Sequence, residues 1–101
     1  MAQLVKIANT SEVLPGKAKA VTANGTAITL YNVGGKFYAT QSNCLHRGGP
    51  LGEGTLDNET VTCPWHGWQY NVKDGQNKAN PAIKLKLFRT EVKGEEVYVE
   101  V

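Results

Sequence analysis

The chain has 101 residues, 41% of them hydrophobic, which is enough for one domain with a small core. Its formal net charge is +2, and the basic residues are scattered, so the sequence does not favour a nucleic-acid-binding surface. No apolar run approaches the ~18 residues of a membrane span, and the N-terminal residues lack the apolar core of a signal peptide. We therefore expect a cytoplasmic, monomeric protein that binds neither nucleic acid nor membrane.

Short strand-like runs separated by turns occupy the first forty residues. The predicted strands are 4–7, 17–22, 26–33 and 36–40, with turns at Asn24-Gly25 and Gly34-Gly35. Thr10-Ser11-Glu12 could form at most one helical turn before Pro15-Gly16. Alternation along 36–40 places Phe37 and Ala39 on one side of the strand and Tyr38 on the other.

The second half of the chain follows the same pattern. The predicted strands are 55–56, 60–62, 68–72, 85–92 and 96–101, with a polar loop over 76–81. Lys84 and Lys86 alternate with apolar residues, which suggests the solvent-facing side of a strand. Many short strands with hardly any helix predict an all-β fold, a small antiparallel barrel or sandwich, with residues 1–101 forming a single domain.

Both cysteines and both histidines of the chain fall into two short boxes. The first contains Cys44 and His46, the second contains Cys63 and His66, and sixteen residues separate His46 from Cys63. In an extended segment residues two apart point the same way, so Cys44 and His46 can share a target. Glycines in the first box let backbone N–H groups approach a bound anionic group. These four side chains are the candidate metal ligands.

Several interpretations fit two thiols and two imidazoles. Chance placement does not explain the pairing, and a Cys44–Cys63 disulfide leaves the histidines unexplained. A tetrahedral zinc ion accepts two Cys and two His, and so does a [2Fe–2S] cluster whose cysteines hold one iron and whose histidines hold the other. Zinc fingers more often place both sulfurs in one arm, whereas each arm here is mixed. The mixed arms favour the cluster.

The stretches Cys44–Leu51 and Cys63-Pro64-Trp65-His66-Gly67-Trp68 resemble the Rieske iron–sulfur family, and the resemblance covers most of the chain. It implies one [2Fe–2S] cluster in a cluster-binding subdomain of about residues 43–70, at one end of the β fold. Membrane-anchored members carry an additional cysteine pair, and this chain has only two cysteines. In size it is similar to the soluble ferredoxins of multicomponent aromatic ring-hydroxylating dioxygenases.

That resemblance implies a one-electron carrier that takes electrons from a flavin reductase and delivers them to a terminal oxygenase. Transient docking is then expected near His46 and His66. We do not expect an enzyme, because an oxygenase needs a second iron site and both histidines are already committed. Two alternatives stay open: a small redox subunit of another enzyme, such as a nitrite-reductase-like system, and a zinc-stapled binding module without redox activity.

The resemblance also bears on the redox potential. High-potential members have a serine hydroxyl two residues beyond the last histidine, where this chain has Trp68, while Tyr70 matches a tyrosine that bonds a cysteine sulfur. With one donor lost and Glu53 in the loop, we expect the low end of the range for histidine-ligated clusters, about −150 mV. Arg47 acts in the opposite direction.

Replacing Trp68 by serine tests this expectation. A hydroxyl that reaches a bridging sulfide stabilises the reduced, more negative state, so the Trp68→Ser variant should have a raised midpoint potential in voltammetry. An unchanged or lower potential would contradict the tuning argument.

Overall fold

The computed structural model of the protein describes residues 3–42, 51–65 and 67–100. These residues form short β-strands and two single-turn 3-10 helices, at Thr10–Glu12 and Leu51–Glu53. The strands are β1 (Leu4–Asn9), β2 (Ala18–Ala23), β3 (Thr26–Val33), β4 (Lys36–Gln41), β5 (Thr55–Asp57), β6 (Thr60–Thr62), β7 (Gln69–Asn71), β8 (Leu87–Phe88), β9 (Thr90–Lys93) and β10 (Glu96–Glu100). Within these ranges no helix has the length and apolar character that crossing a bilayer requires.

The strands of the described residues pair into three antiparallel sheets. Their orders are β1-β10-β9, β2-β3-β4-β8 and β5-β6-β7. The predicted all-β, antiparallel fold is therefore confirmed. The three-stranded sheet β5-β6-β7 matters most for function, because it carries the second Cys/His box between β6 and β7.

The turn predicted at Asn24-Gly25 joins β2 to β3. Asn24 and Gly25 have φ values of 49° and 78°, which give the twist that a tight hairpin requires. The strands then pair in register from Ala23 opposite Thr26 to Ala18 opposite Tyr31. The one-turn helix predicted at Thr10–Glu12 is also present, as a 3-10 turn.

An exposed carboxylate stabilises this 3-10 turn. Glu12 accepts a hydrogen bond from the backbone N–H of Asn9 and lies 3.3 Å from the Lys19 Nζ. The N–H of Asn9, and then Lys19, lower the pKa of Glu12 below its ordinary value. The contact holds the C-terminal end of β1 against β2.

Two apolar cores lie on opposite faces of β3. Ile28 and Leu30 point into the first core, between sheets β1-β10-β9 and β2-β3-β4-β8, whereas Tyr31 points into the second, beside sheet β5-β6-β7. The expected alternation in β4 is confirmed, since Phe37 and Ala39 join the first core and Tyr38 packs against the second. β3 therefore has apolar packing on both faces. The first core comprises Ala8, Val13, Ala23, Ile28, Leu30, Phe37, Ala39, Val97 and Val99; the second comprises Tyr31, Leu51, Val61, Cys63, Tyr70, Val72 and Leu85.

The prediction of one strand over 85–92 is wrong. The segment forms two strands in different sheets, β8 against β4 and β9 against β10. The break falls at Arg89, whose carbonyl accepts the N–H of Glu100, and Thr90 Oγ1 then donates to the Phe37 carbonyl at 2.7 Å. The chain thus changes sheets inside a run that contains neither Gly nor Pro, so no local turn residue marks the break. Lys84 and Lys86 are exposed as expected, but they lie before β8.

Two buried threonines face each other across β3 and β4, and only one of their hydroxyls is hydrogen-bonded among the described residues. Thr29 and Thr40 are directly paired in register, and both are fully buried. The Thr40 hydroxyl lies 2.9 Å from the Tyr31 hydroxyl and donates to the Gln41 carbonyl at 2.9 Å. The Thr29 hydroxyl has no hydrogen-bond partner among the described residues. A buried hydroxyl without a partner lowers stability.

Replacing each threonine by valine should therefore have opposite effects. Thr29→Val removes an unsatisfied hydroxyl at constant shape and should raise the free energy of unfolding by about 1 kcal/mol. Thr40→Val, the matched control, removes the buried hydroxyl that bonds to the Tyr31 hydroxyl and to the Gln41 carbonyl, and should lower the free energy of unfolding by about 1–3 kcal/mol. Urea unfolding followed by circular dichroism measures both. Equal destabilisation by the two substitutions would contradict the assignment.

Candidate metal centre

Cys63 is the one predicted ligand that lies within the described residues. Cys44, His46 and His66 fall outside them. Cys63 follows β6 directly and is 1% exposed, in the second core with Val61 and Tyr70. Burial shields the Cys63 sulfur from oxidants in the solvent and from exchange with other thiols.

A backbone hydrogen bond joins the two ends of the second box, which we call its base, and a backbone N–H points at the Cys63 sulfur. The Cys63 N–H donates to the Trp68 carbonyl at 2.7 Å, which brings the two ends of the box together. Within the box, the Trp65 N–H lies 3.4 Å from the Cys63 Sγ. A backbone N–H directed at a sulfur stabilises negative charge on it, as a thiolate ligand requires.

The first box is closed in the same way. Residues 43–50 lie outside the described ranges, and the two residues that flank them are joined by a hydrogen bond from the Leu51 N–H to the Ser42 carbonyl, 3.0 Å long. Leu51 is fully buried in the second core. The end of the first box and the predicted ligand Cys63 are therefore anchored in one core.

A close backbone contact between Gly54 and Thr62 holds the end of the first box next to the start of the second. A Cβ added at Gly54 would lie 2.1 Å from the Thr62 carbonyl oxygen, so only glycine fits there. Gly54 follows the 3-10 turn Leu51–Glu53, and Thr62 precedes Cys63. This contact sets the distance between the end of the first box and the start of the second.

A hydrogen-bonded chain supports the exit from β4 into the first box. The buried Tyr31 hydroxyl contacts Thr40, and Thr40 donates to the carbonyl of Gln41. Gln41 then makes two hydrogen bonds to the backbone of Lys86. Its backbone N–H donates to the Lys86 carbonyl at 2.9 Å, and its side-chain Oε1 accepts from the Lys86 N–H at 2.8 Å. Sequence reasoning missed Gln41, because its partner lies 45 residues away and no local pattern marks the pair.

The two tryptophans of the second box have different environments. Trp68 packs against the second core with its ring centroid 6.5 Å from that of Tyr70, at 47° between the planes. Trp65 is 48% exposed. We interpret Trp68 as a cover that excludes water from the core beside Cys63, and Trp65 as part of the outer surface.

The described part of the site, Cys63 and its surroundings, fits a ligand of an iron–sulfur centre. Cys63 is buried, accepts a backbone N–H and sits on a rigid base shared with the first box. These are the features that fix a ligand and tune its charge.

Comparisons with known proteins agree. The Rieske [2Fe-2S] domain family matches residues 3–91. The chain is 40% identical over 97 residues to ferredoxin CarAc of Metapseudomonas resinovorans, covering 94% of this chain and 91% of that protein. It is 34% identical over 99 residues to the ferredoxin component of biphenyl 2,3-dioxygenase from Rhodococcus jostii (strain RHA1), covering 97% and 92%. A chain in the solved complex of reduced oxygenase and oxidized ferredoxin in carbazole 1,9a-dioxygenase superimposes with a TM-score of 0.87 and 39% identity, over 95% of this chain and 91% of that one.

Truncating Leu51 tests the shared base. Leu51→Ala should lower the free energy of unfolding by about 2–4 kcal/mol, because it opens a cavity beneath the first box. Leu14→Ala is the control: Leu14 is 60% exposed, so its truncation should cost less than about 0.5 kcal/mol. Thermal unfolding by circular dichroism compares them, and equal losses would contradict the role given to Leu51.

Proposed function

The chain belongs to the Rieske [2Fe-2S] domain family, and from that membership we propose that it is the ferredoxin of a ring-hydroxylating dioxygenase system. It carries one [2Fe-2S] cluster and transfers electrons rather than catalysing a reaction itself. The observation that carries the proposal is the 40% identity to a ferredoxin over 94% of this chain and 91% of that protein. Because the match takes in almost all of that relative, its role as a ferredoxin is the role we assign here.

We assign Cys44 and Cys63 to one iron and His46 and His66 to the other. Such a cluster accepts and releases one electron, and neutral histidines in place of two thiolates make the added electron less costly, which raises the potential to roughly −150 to +300 mV. The cluster-binding subdomain of about residues 43–70 would then form one end of a single domain spanning 1–101. The buried Cys63 with its Trp65 N–H donor supports this assignment.

The surrounding residues define what the protein contributes. The second core and Trp68 keep water from Cys63, and the Trp65 N–H stabilises its negative sulfur. Trp68 offers no hydroxyl to a sulfide, and for this reason we propose a potential near the low end of the range. Tyr70 is buried in the same core as Cys63, where its hydroxyl could serve the sulfur as the family pattern implies.

The terminal oxygenase is the acceptor that we assign, since the solved relative is part of an oxygenase–ferredoxin complex. We extend the proposal to a flavin-dependent reductase as electron donor and to transient docking near His46 and His66. The half-exposed Trp65, next to His66 in sequence, supports docking at that surface. We also propose that the protein is monomeric and cytoplasmic.

The alternatives have less support. A zinc-stapled module does not account for membership of an iron–sulfur family. The described part of the site does not distinguish a ferredoxin from a subunit of a nitrite-reductase-like enzyme. The relatives at 40% and 34% identity are ferredoxins, and they favour the ferredoxin.

Substituting each ligand in turn tests the assignment. Cys44→Ser, Cys63→Ser, His46→Ala and His66→Ala should each lose the bound iron, and the dithionite-reduced protein should lose its EPR signal, because the cluster needs all four ligands. Thr62→Ser, next to Cys63, is the control and should keep both. Iron analysis and EPR read the result. A native-like, iron-loaded spectrum in any ligand variant would contradict the assignment of that residue.

A further inference from the structure

The charges of the chain are segregated in a way that its small net charge conceals. Between Gly75 and Thr90 there are four basic residues and no acidic one. The remaining sequence has seven basic and nine acidic residues, so it is net negative. The basic residues look scattered along the sequence, but one continuous segment carries the positive excess.

Three lysines of this segment are exposed and unneutralised. Lys78, Lys84 and Lys86 form no ion pair with any described carboxylate, and we call them the basic strip. Four of the other described cations pair with carboxylates, whereas Lys17, Lys36 and Lys93 form no ion pair with a described carboxylate either. The ion pairs are Lys6–Glu96 at 3.0 Å, Lys19–Glu12 at 3.3 Å, Lys73–Glu59 at 3.2 Å and Arg89–Glu100 at 3.7 Å.

The basic strip runs between the bases of the two boxes. The Lys78 N–H donates to the carbonyl of Gln69, the residue after Trp68, at 2.9 Å. Lys86 is held by the double contact with Gln41, just before the first box. Lys84 and Lys86 flank the buried Leu85, so their side chains point outward together. Positive charge therefore lies beside the candidate metal centre.

A preformed cleft adjoins one end of the strip. It has a volume of about 400 Å³, and its lining residues include the apolar side chains of Trp68 and Ile83 and also Lys78. The loop opposite Trp68 is fixed by the buried Asn77, whose Oδ1 accepts the N–H groups of Ala79 and Asn80 at 2.8 and 3.0 Å. Because these bonds set its shape, the cleft exists before any partner arrives.

We propose that the basic strip and the adjoining cleft are the docking surface for an acidic patch on the terminal oxygenase. Carboxylates of the oxygenase face Lys78, Lys84 and Lys86, and an apolar side chain enters the cleft against Trp68 and Ile83. Exposed, hydrated lysines steer encounter without holding the complex long, which suits a carrier that must leave after one electron. This inference rests on the proposed function as a ferredoxin.

Stopped-flow kinetics test the surface. The dithionite-reduced protein is mixed with the oxidised terminal oxygenase of carbazole 1,9a-dioxygenase, and separately with that of the biphenyl system, over a range of ionic strengths. Lys78→Glu/Lys84→Glu should lower the second-order rate constant roughly 10-fold at low salt, with the difference shrinking as salt screens it. This double variant, and the control double variant described next, must retain the wild-type EPR spectrum and reversible one-electron reduction.

Lys17→Glu/Lys36→Glu is the matched control. It changes the net charge equally, at exposed lysines, and Lys36 lies at the end of β4 opposite the first box. Its rate constant should stay within about 2-fold of wild type.

The outcomes separate the two levels of the proposal. If the wild type transfers electrons and the two double variants have equal rate constants, whether unchanged or equally lowered, the docking surface is wrong. The ferredoxin assignment is unaffected by that result. Wild type that takes up one electron but passes it to neither oxygenase overturns the proposed partner, and the docking surface with it. If the strip variant instead loses binding to duplex DNA or phosphatidylglycerol vesicles while electron transfer is unchanged, the strip serves another partner and the inference is wrong.

Discussion

The packing of Leu51 and Cys63 in one apolar core is the contact on which the candidate metal centre depends. A site built from two separate boxes needs a common support, because its ligands must hold their positions to within about 0.5 Å. Burial of Leu51 fixes the end of the first box, and burial of Cys63 fixes the start of the second. The glycine at position 54 then sets the spacing between them. The two boxes are far apart in sequence, and this core brings their bases together.

The rest of the fold makes that support rigid. β3 has apolar packing on both faces, so the second core rests on a strand that the first core holds in place. Tyr31 connects them, since it belongs to β3 and its hydroxyl begins the hydrogen-bonded chain that leads through Thr40 to Gln41. A small chain buries a smaller fraction of its surface on folding than a large one does. A strand buried on both faces increases that buried area and therefore adds stability.

The fold class was accessible from the sequence because it rests on local information, and the proposed ligand set was inferred from information of the same local kind. Strand alternation, the Asn24-Gly25 turn and the Cys/His spacing are all read within a few residues. The missed features are non-local. The split of 85–92 into two strands depends on which sheet edge is free, and the clamp between Gln41 and Lys86 depends on residues 45 apart. The basic strip became visible only when chain position and exposure were considered together.

The placement of the two tryptophans gives the protein a built-in optical reporter. Trp65 and Trp68 are the chain's only indoles, and both lie within five residues of Cys63. All tryptophan emission of the molecule therefore originates from the box that contains Cys63, with one ring half-exposed to solvent and the other packed near Tyr70. The unlabelled chain can thus report by tryptophan fluorescence on events at a single spot, with no background from other tryptophans.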